Sequence, residues 1–175
     1  MSAVHTRSTA ALLALLVQAA GCGPSFDGRL YDGHGIRFIS GEPAASWRQI
    51  EVGGALLAFR DDAKEATVAV NGRCGKDAED TSLQALTQHL FLLFTERRIE
   101  EQRLGSLDGR EALRTTMVAK LDGVEKSFAV WVLKKDGCVY DFLYISRPET
   151  FSGGVTRFDA FVQEFRAQTD ATRGR

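Results

Sequence analysis

No excess of charge of either sign marks this chain: 22 Lys and Arg stand against 23 Asp and Glu, for a formal net charge of -1. A basic footprint for a polyanion is missing, and no nucleic-acid partner is expected. Histidine is scarce, three in 175 residues, and His34 and His89 stand in no HxxxH or HExxH spacing, so a zinc site lacks its ligands. No serine sits in a GxSxG elbow. The stretch "NGRCGKD" fails as a phosphate loop twice, with Val70 where the first glycine belongs and Asp77 where Ser or Thr belongs. Neither metal nor cofactor is expected. A membrane-spanning run is also lacking. The apolar stretch from Ala10 to Val17 rises about 12 Å as a helix, against roughly 30 Å of bilayer hydrocarbon. Cysteine is rare and odd in number, at three, so in an oxidising compartment one of them needs a fate other than pairing within the chain.

What is present begins with that apolar stretch. Arg7 precedes it, and Gln18, Ala19, Ala20 and Gly21 follow, which is the layout of a secretory signal peptide: basic start, short apolar centre, small residues at the cleavage site. The segment "AAGC" resembles the bacterial lipobox, in which small residues precede a cysteine that is acylated before cleavage. The resemblance implies a signal peptide over 1–21, with Cys22 as the lipid attachment site and first mature residue. The alternative is a plain signal peptide with Cys22 incidental. Removing 1–21 takes away only Arg7 among the charged residues, so the formal charge moves from -1 to -2 and membrane attachment does not rest on a basic surface. Two or three acyl chains, at about 0.8 kcal/mol per buried methylene, suffice as an anchor. In lipoproteins an Asp after the cysteine commonly signals inner-membrane retention. Gly23 stands there instead, so the expected location is the outer membrane, periplasm-facing, in a Gram-negative source, and otherwise the extracytoplasmic membrane surface. Residues 22–35, rich in Gly and Asp and without a period, read as a flexible tether.

Residues 36–168 read as a single α+β domain, with 169–175 as a frayed end. "GIRFIS", "WRQIEV", "ALLAFRD" and the alternating "ATVAVNGR" have the composition of strands separated by turn signals. Over residues 81 to 95, Leu83, Leu86, Leu90 and Phe94 recur at helical spacing, and Thr81 with Gln84 forms a capping box. Asp-Gly pairs then follow at 108/109, 122/123 and 136/137, each between extended runs, which predicts a four-stranded antiparallel meander. In "FDAFVQEFRAQ", Phe158, Phe161, Val162 and Phe165 form the stripe of an amphipathic helix docked on a sheet.

Two-residue turns make the register arithmetic. Opposed residue numbers sum to 245 across Asp122-Gly123 and to 273 across Asp136-Gly137. One face then carries Leu113, Thr115, Met117, Ala119, Phe128, Val130, Val132, Leu143 and Ile145, a core face interrupted by Asp141. The other carries Arg114, Thr116, Lys120, Trp131, Leu133, Tyr140, Phe142 and Tyr144. Either a helix covers this aromatic and charged face or it is a binding surface, with Arg114, Trp131, Phe142, Tyr140 and Tyr144 as its candidate residues and an Arg over the indole as one of its contacts. Cys74 and Cys138 are the pair left once Cys22 is acylated. They are expected to form a disulfide that closes a loop of about 65 residues and stabilises by roughly 4 kcal/mol; the alternative is two thiols too far apart to meet.

The order of elements resembles a known family. An opening "F...P...W" (Phe38, Pro43, Trp47), a hairpin, a helix, a meander and the closing "F..FV..F" resemble the α/β/α sandwich shared by the photosystem II extrinsic protein PsbP and a Ran-binding nuclear-transport factor. The resemblance implies an antiparallel sheet packed with two main helices and a role in binding or assembly, with no shared active-site motif to carry over. Two functional readings follow. The first is a lipid-anchored, non-catalytic envelope module that binds an envelope protein or an apolar ligand. The second is an envelope enzyme working through carboxylates such as Asp141, an acid on an otherwise apolar face. The lipid anchor has a direct test: Cys22→Ala should leave the protein unprocessed or free of the membrane fraction, and a fatty-acid label should mark the wild type alone.

Overall fold

The computed structural model describes residues 23–75 and 81–168. The expected signal peptide over 1–21, Cys22 and the C-terminal 169–175 lie outside the described residues. A four-stranded sheet of order β1-β2-β3-β11 is built from Ser25–Phe26, Leu30–Gly33, Ile36–Ile39 and Arg166–Ala167. A seven-stranded antiparallel sheet of order β4-β5-β6-β10-β9-β8-β7 is built from Trp47–Ile50, Leu57–Asp61, Ala66–Cys74, Cys138–Ser146, Val124–Lys135, Arg110–Leu121 and Thr95–Leu107. Helix α1 spans Leu83–Leu90 and α2 spans Pro148–Gln163. The fold class is the expected one.

The meander follows from its turns. Asp108, Asp122 and Asp136 take φ of 48°, 51° and 52°, and the glycine after each takes 72° to 77°. Both central residues therefore sit in the left-handed region, as a type I′ turn requires, and Gly occupies it without a Cβ penalty. The register then matches the arithmetic residue for residue: Arg114 faces Trp131, Trp131 faces Phe142, and Met117 faces Phe128. Only β7 departs from regular pairing with β8, through bulges between Thr95 and Arg98 and between Ile99 and Glu101.

Cys74 and Cys138 are direct partners in the β6–β10 ladder and form a disulfide. That ladder joins the two halves of the large sheet, so the bridge crosses its middle.

Three expectations change. Residues 22–35 read as a tether, yet from Ser25 onward they form the β1–β2 hairpin. Tyr31 is buried and stacks on Phe38 at 4.9 Å, and this tertiary contact overrides the loop-like composition. Helix α1 is capped by Ser82, whose hydroxyl accepts from the Ala85 N–H, and it ends at Leu90 rather than 95 because the chain turns at Phe91 and enters β7. Helix α2 starts well before the aromatic stripe, at Pro148, a residue suited to the first helical turn, and its tail returns as β11 against β3.

Both faces of the large sheet are covered. The face carrying Met117, Ala119, Phe128, Val130 and Val132 meets Leu86 and Phe91 of the α1 region in the smaller core. The face carrying Trp131, Leu133, Tyr140, Phe142 and Tyr144 meets α2 and the small sheet in the larger one. Phe158, Phe161 and Phe165 are fully buried there, at about 1.5–3 kcal/mol each from removal of apolar surface from water. Close approach of α2 depends on Gly154, where a Cβ would collide with the Tyr144 hydroxyl. Gly154→Ala should cost roughly 1–3 kcal/mol in urea unfolding by overpacking. The loss should shrink in a Tyr144→Phe background; an equal loss in both backgrounds would show that the hydroxyl is not the obstacle.

Candidate functional site

The sequence-expected binding row is core. Trp131 is 2% exposed, Arg114 is 6% exposed, and Tyr140, Phe142 and Tyr144 are buried with them. Helix α2 and the segment after it cover the row: Phe158 of α2 stacks on Tyr144 at 5.7 Å, and Phe165, which the stripe placed on the helix but which lies beyond its end at Gln163, packs 4.8 Å from Tyr140 and 4.9 Å from Phe142. The candidate accessible surface at Arg114, Trp131, Phe142, Tyr140 and Tyr144 is therefore absent, because the closing helix spans it.

Burying Arg114 requires a partner, and α2 supplies it. Arg114 Nε and Nη2 donate to Asp159 Oδ1 and Oδ2 at 3.0 and 2.8 Å, a bidentate pair, and Nη1 donates to Glu101 at 3.2 Å. The indole Nε1 of Trp131 donates to the same Asp159 Oδ1 at 2.8 Å. The cation over the indole is Arg103 of β7, 5.6 Å from the ring, rather than Arg114. Sequence reasoning missed Asp159. Its signal was an acid directly beside the apolar stripe of the helix, with a lone guanidinium on the face that the stripe must cover.

Asp141 is 1% exposed, and its Oδ2 accepts from Arg73 Nη1 at 2.9 Å, while Oδ1 has no hydrogen-bond partner. Burial pushes its carboxyl above the ordinary range, against the opposing pull of Arg73. Its ion-pair partner is thus a cation and not the second acid that paired-carboxylate chemistry needs. The Tyr140 phenol is pushed up to about 12, mainly by burial, with Asp136 and Asp108 adding to it, so it is neutral at physiological pH. Among the described residues no group of three or more His, Cys, Asp or Glu could hold a metal ion. His89 is exposed on α1.

The open feature lies on the other face. Helix α1 is only eight residues long, while β7 and β8 run to 13 and 12 residues, so one helix cannot cover the sheet to its edge. A groove of about 590 Å³ remains between the C-terminal end of α1 and β7–β8. Phe91, Leu92, Ile99 and Met117 give it apolar walls, and Gln102 and Arg97 give it polar ones. Both polar side chains are held in place: Gln102 Nε2 donates to Thr115 Oγ1 at 3.0 Å, and Arg97 donates to the Phe91 carbonyl at 3.3 Å. At its mouth Leu92 is 65% exposed and Ile99 is 54% exposed; Leu93, next in the chain, is 91% exposed. A second groove, of about 370 Å³, lies between Pro24–Phe26 and the β4–β5 connection.

No family model and no curated protein sequence matches the chain. Solved structures share its fold. Cyanobacterial PsbP (CyanoP) from Synechocystis is similar over 87% of this chain and 99% of its own, at 15% identity and a TM-score of 0.57. LpqN, involved in cell envelope biogenesis of Mycobacterium tuberculosis, is similar over 75% of this chain and 84% of its own, at 13% identity and a TM-score of 0.53. PA94, a Pseudomonas aeruginosa protein of unknown function, is similar over 84% of this chain and 99% of its own, at 9% identity and a TM-score of 0.51. The fold is thus PsbP-like. No described helix is long and apolar enough to cross a membrane.

The buried row makes a quantitative prediction. Trp131→Ala should cost about 3–5 kcal/mol as a large-to-small core change, and Asp159→Ala about 3 kcal/mol, since it removes the bidentate partner of a buried guanidinium, leaving it Glu101 alone, and leaves an indole N–H unpaired. Denaturant unfolding measures both, and near-wild-type midpoints would mean that α2 does not seal this face.

Proposed function

We propose that the protein is a lipid-anchored, non-catalytic envelope module that binds an apolar segment of another envelope protein, or an apolar ligand, in the groove beside α1. The exposure of Leu92 and Leu93 at the end of α1, beside an apolar-walled groove, carries this reading. Adjacent large apolar side chains left in water beside an apolar-walled groove mark a contact surface. The PsbP-like fold supports a binding role over a catalytic one by analogy alone. The envelope role in the description of LpqN points in the same direction.

The anchor belongs to the same reading. Only Gly23 and Pro24 separate Cys22 from β1, and two residues span at most about 7 Å. With Cys22 acylated, the domain would rest against the bilayer by its β1–β2 end rather than swing on a tether. In a Gram-negative source the absence of Asp after Cys22 supports the outer membrane as that surface.

A photoreactive residue at Leu93, compared with one at Glu149 of α2 on the opposite face of the sheet, tests the groove. Both sites are exposed. Crosslinked adducts should form from position 93 and not from 149, and Leu92→Ser should reduce them without lowering stability. Equal adducts from both positions, or none from 93, would overturn the groove as the binding site.

A further inference from the structure

Strand β7 is one edge of the large sheet, 13 residues long and exposed along most of its length. Edge strands normally block pairing with other chains by charge, proline or bulges. The charges of β7 have an unusual order: Arg97 and Arg98 precede Ile99, and Glu100 and Glu101 follow it. In an antiparallel pair related by a two-fold axis through Ile99, each residue faces the one equally far on the other side of position 99. Arg98 would face Glu100 of the second copy, and this contact would occur twice. Ile99, 54% exposed, would face its own equivalent.

We infer that β7 is a self-association edge, and that a second copy of this chain pairs with it antiparallel in the register centred on Ile99. The "RRIEE" run is charge-antisymmetric, so it attracts itself when antiparallel and repels itself when parallel. Opposite charges directly across strands favour pairing, and like charges oppose it. The two bulges flank Ile99, between Thr95 and Arg98 and between Ile99 and Glu101. Within one chain Arg98 and Glu100 contact each other at 3.4 Å with both side chains largely exposed. Such a pair is worth little in water, so exchanging it for two contacts between copies costs little. Arg97 and Glu101 have further roles, at the Phe91 carbonyl and at Arg114, which leaves Arg98 and Glu100 as the positions to vary.

The inference does not depend on what the groove binds, and its test uses the purified full chain alone in detergent. Light scattering over a concentration series should show a dimer for the wild type. Arg98→Glu and Glu100→Arg should each weaken self-association at least tenfold, because each places like charges across the axis twice. An equimolar mixture of the two variants should regain the dimer, since every pair is then opposite in sign, and thermal unfolding should match wild type for both. A wild type that stays monomeric, variants that dimerise as the wild type does, or a mixture that stays monomeric would each overturn the proposed edge or its register.

Discussion

Asp159 lets a charged residue lie inside an aromatic core. Arg114 is placed on the α2-facing side of the sheet by a register that the Asp122-Gly123 turn dictates, and a guanidinium cannot shed its charge when buried. Without a carboxylate from the helix, α2 could dock only by leaving two of the three guanidinium nitrogens of that cation without a partner, since Glu101 takes only one. With Asp159 in place, the bidentate pair and the Trp131 indole bond fix how far along the sheet the helix sits. The positions of Phe158 over Tyr144, of Phe161 against Trp47 and Phe59, and of Phe165 over Phe142, and the need for Gly154 under Tyr144, follow from that docking.

The meander was legible in the sequence because turn chemistry is local. An Asp-Gly pair needs no distant partner to adopt its conformation, so three of them give register, faces and neighbours for four strands. The disulfide was legible for a related reason: both cysteines end extended runs in a chain expected to be exported. Tertiary burial was not legible. Asp27, Gly28 and Asp32 make residues 23–35 look like a tether, and tertiary contacts such as Tyr31 stacked on Phe38 and Phe26 against Phe59 hold the segment as a strand pair. The aromatic face left two readings open in sequence, since Trp131, Tyr140, Phe142 and Tyr144 suit either a binding surface or a core. Asp159 decides between them, and its partner lies 45 residues away in the chain.

The functional reading moves accordingly. The aromatic row expected to bind is consumed by the fold, and Asp141, the acid that could have suggested catalysis, is tied to Arg73. Three of the six exposed large apolar side chains among the described residues, Leu92, Leu93 and Ile99, lie at the junction of α1 and β7, where a helix of eight residues meets a strand of 13. The mismatch in length exposes Leu92, Leu93 and Ile99 together. The groove is thus a consequence of the short helix rather than of any special loop.

The Cys74–Cys138 bridge bears on the order in which this chain folds. The hairpins β7–β8, β8–β9 and β9–β10 close over two residues each, whereas pairing β6 with β10 must close a span of 64 residues between the cysteines. Local hairpins form in microseconds, and distant pairings wait on loop-closure entropy. The meander is therefore expected to form before the β4–β5–β6 block joins it at β10. A covalent link at that seam ties the pairing with the largest loop to close.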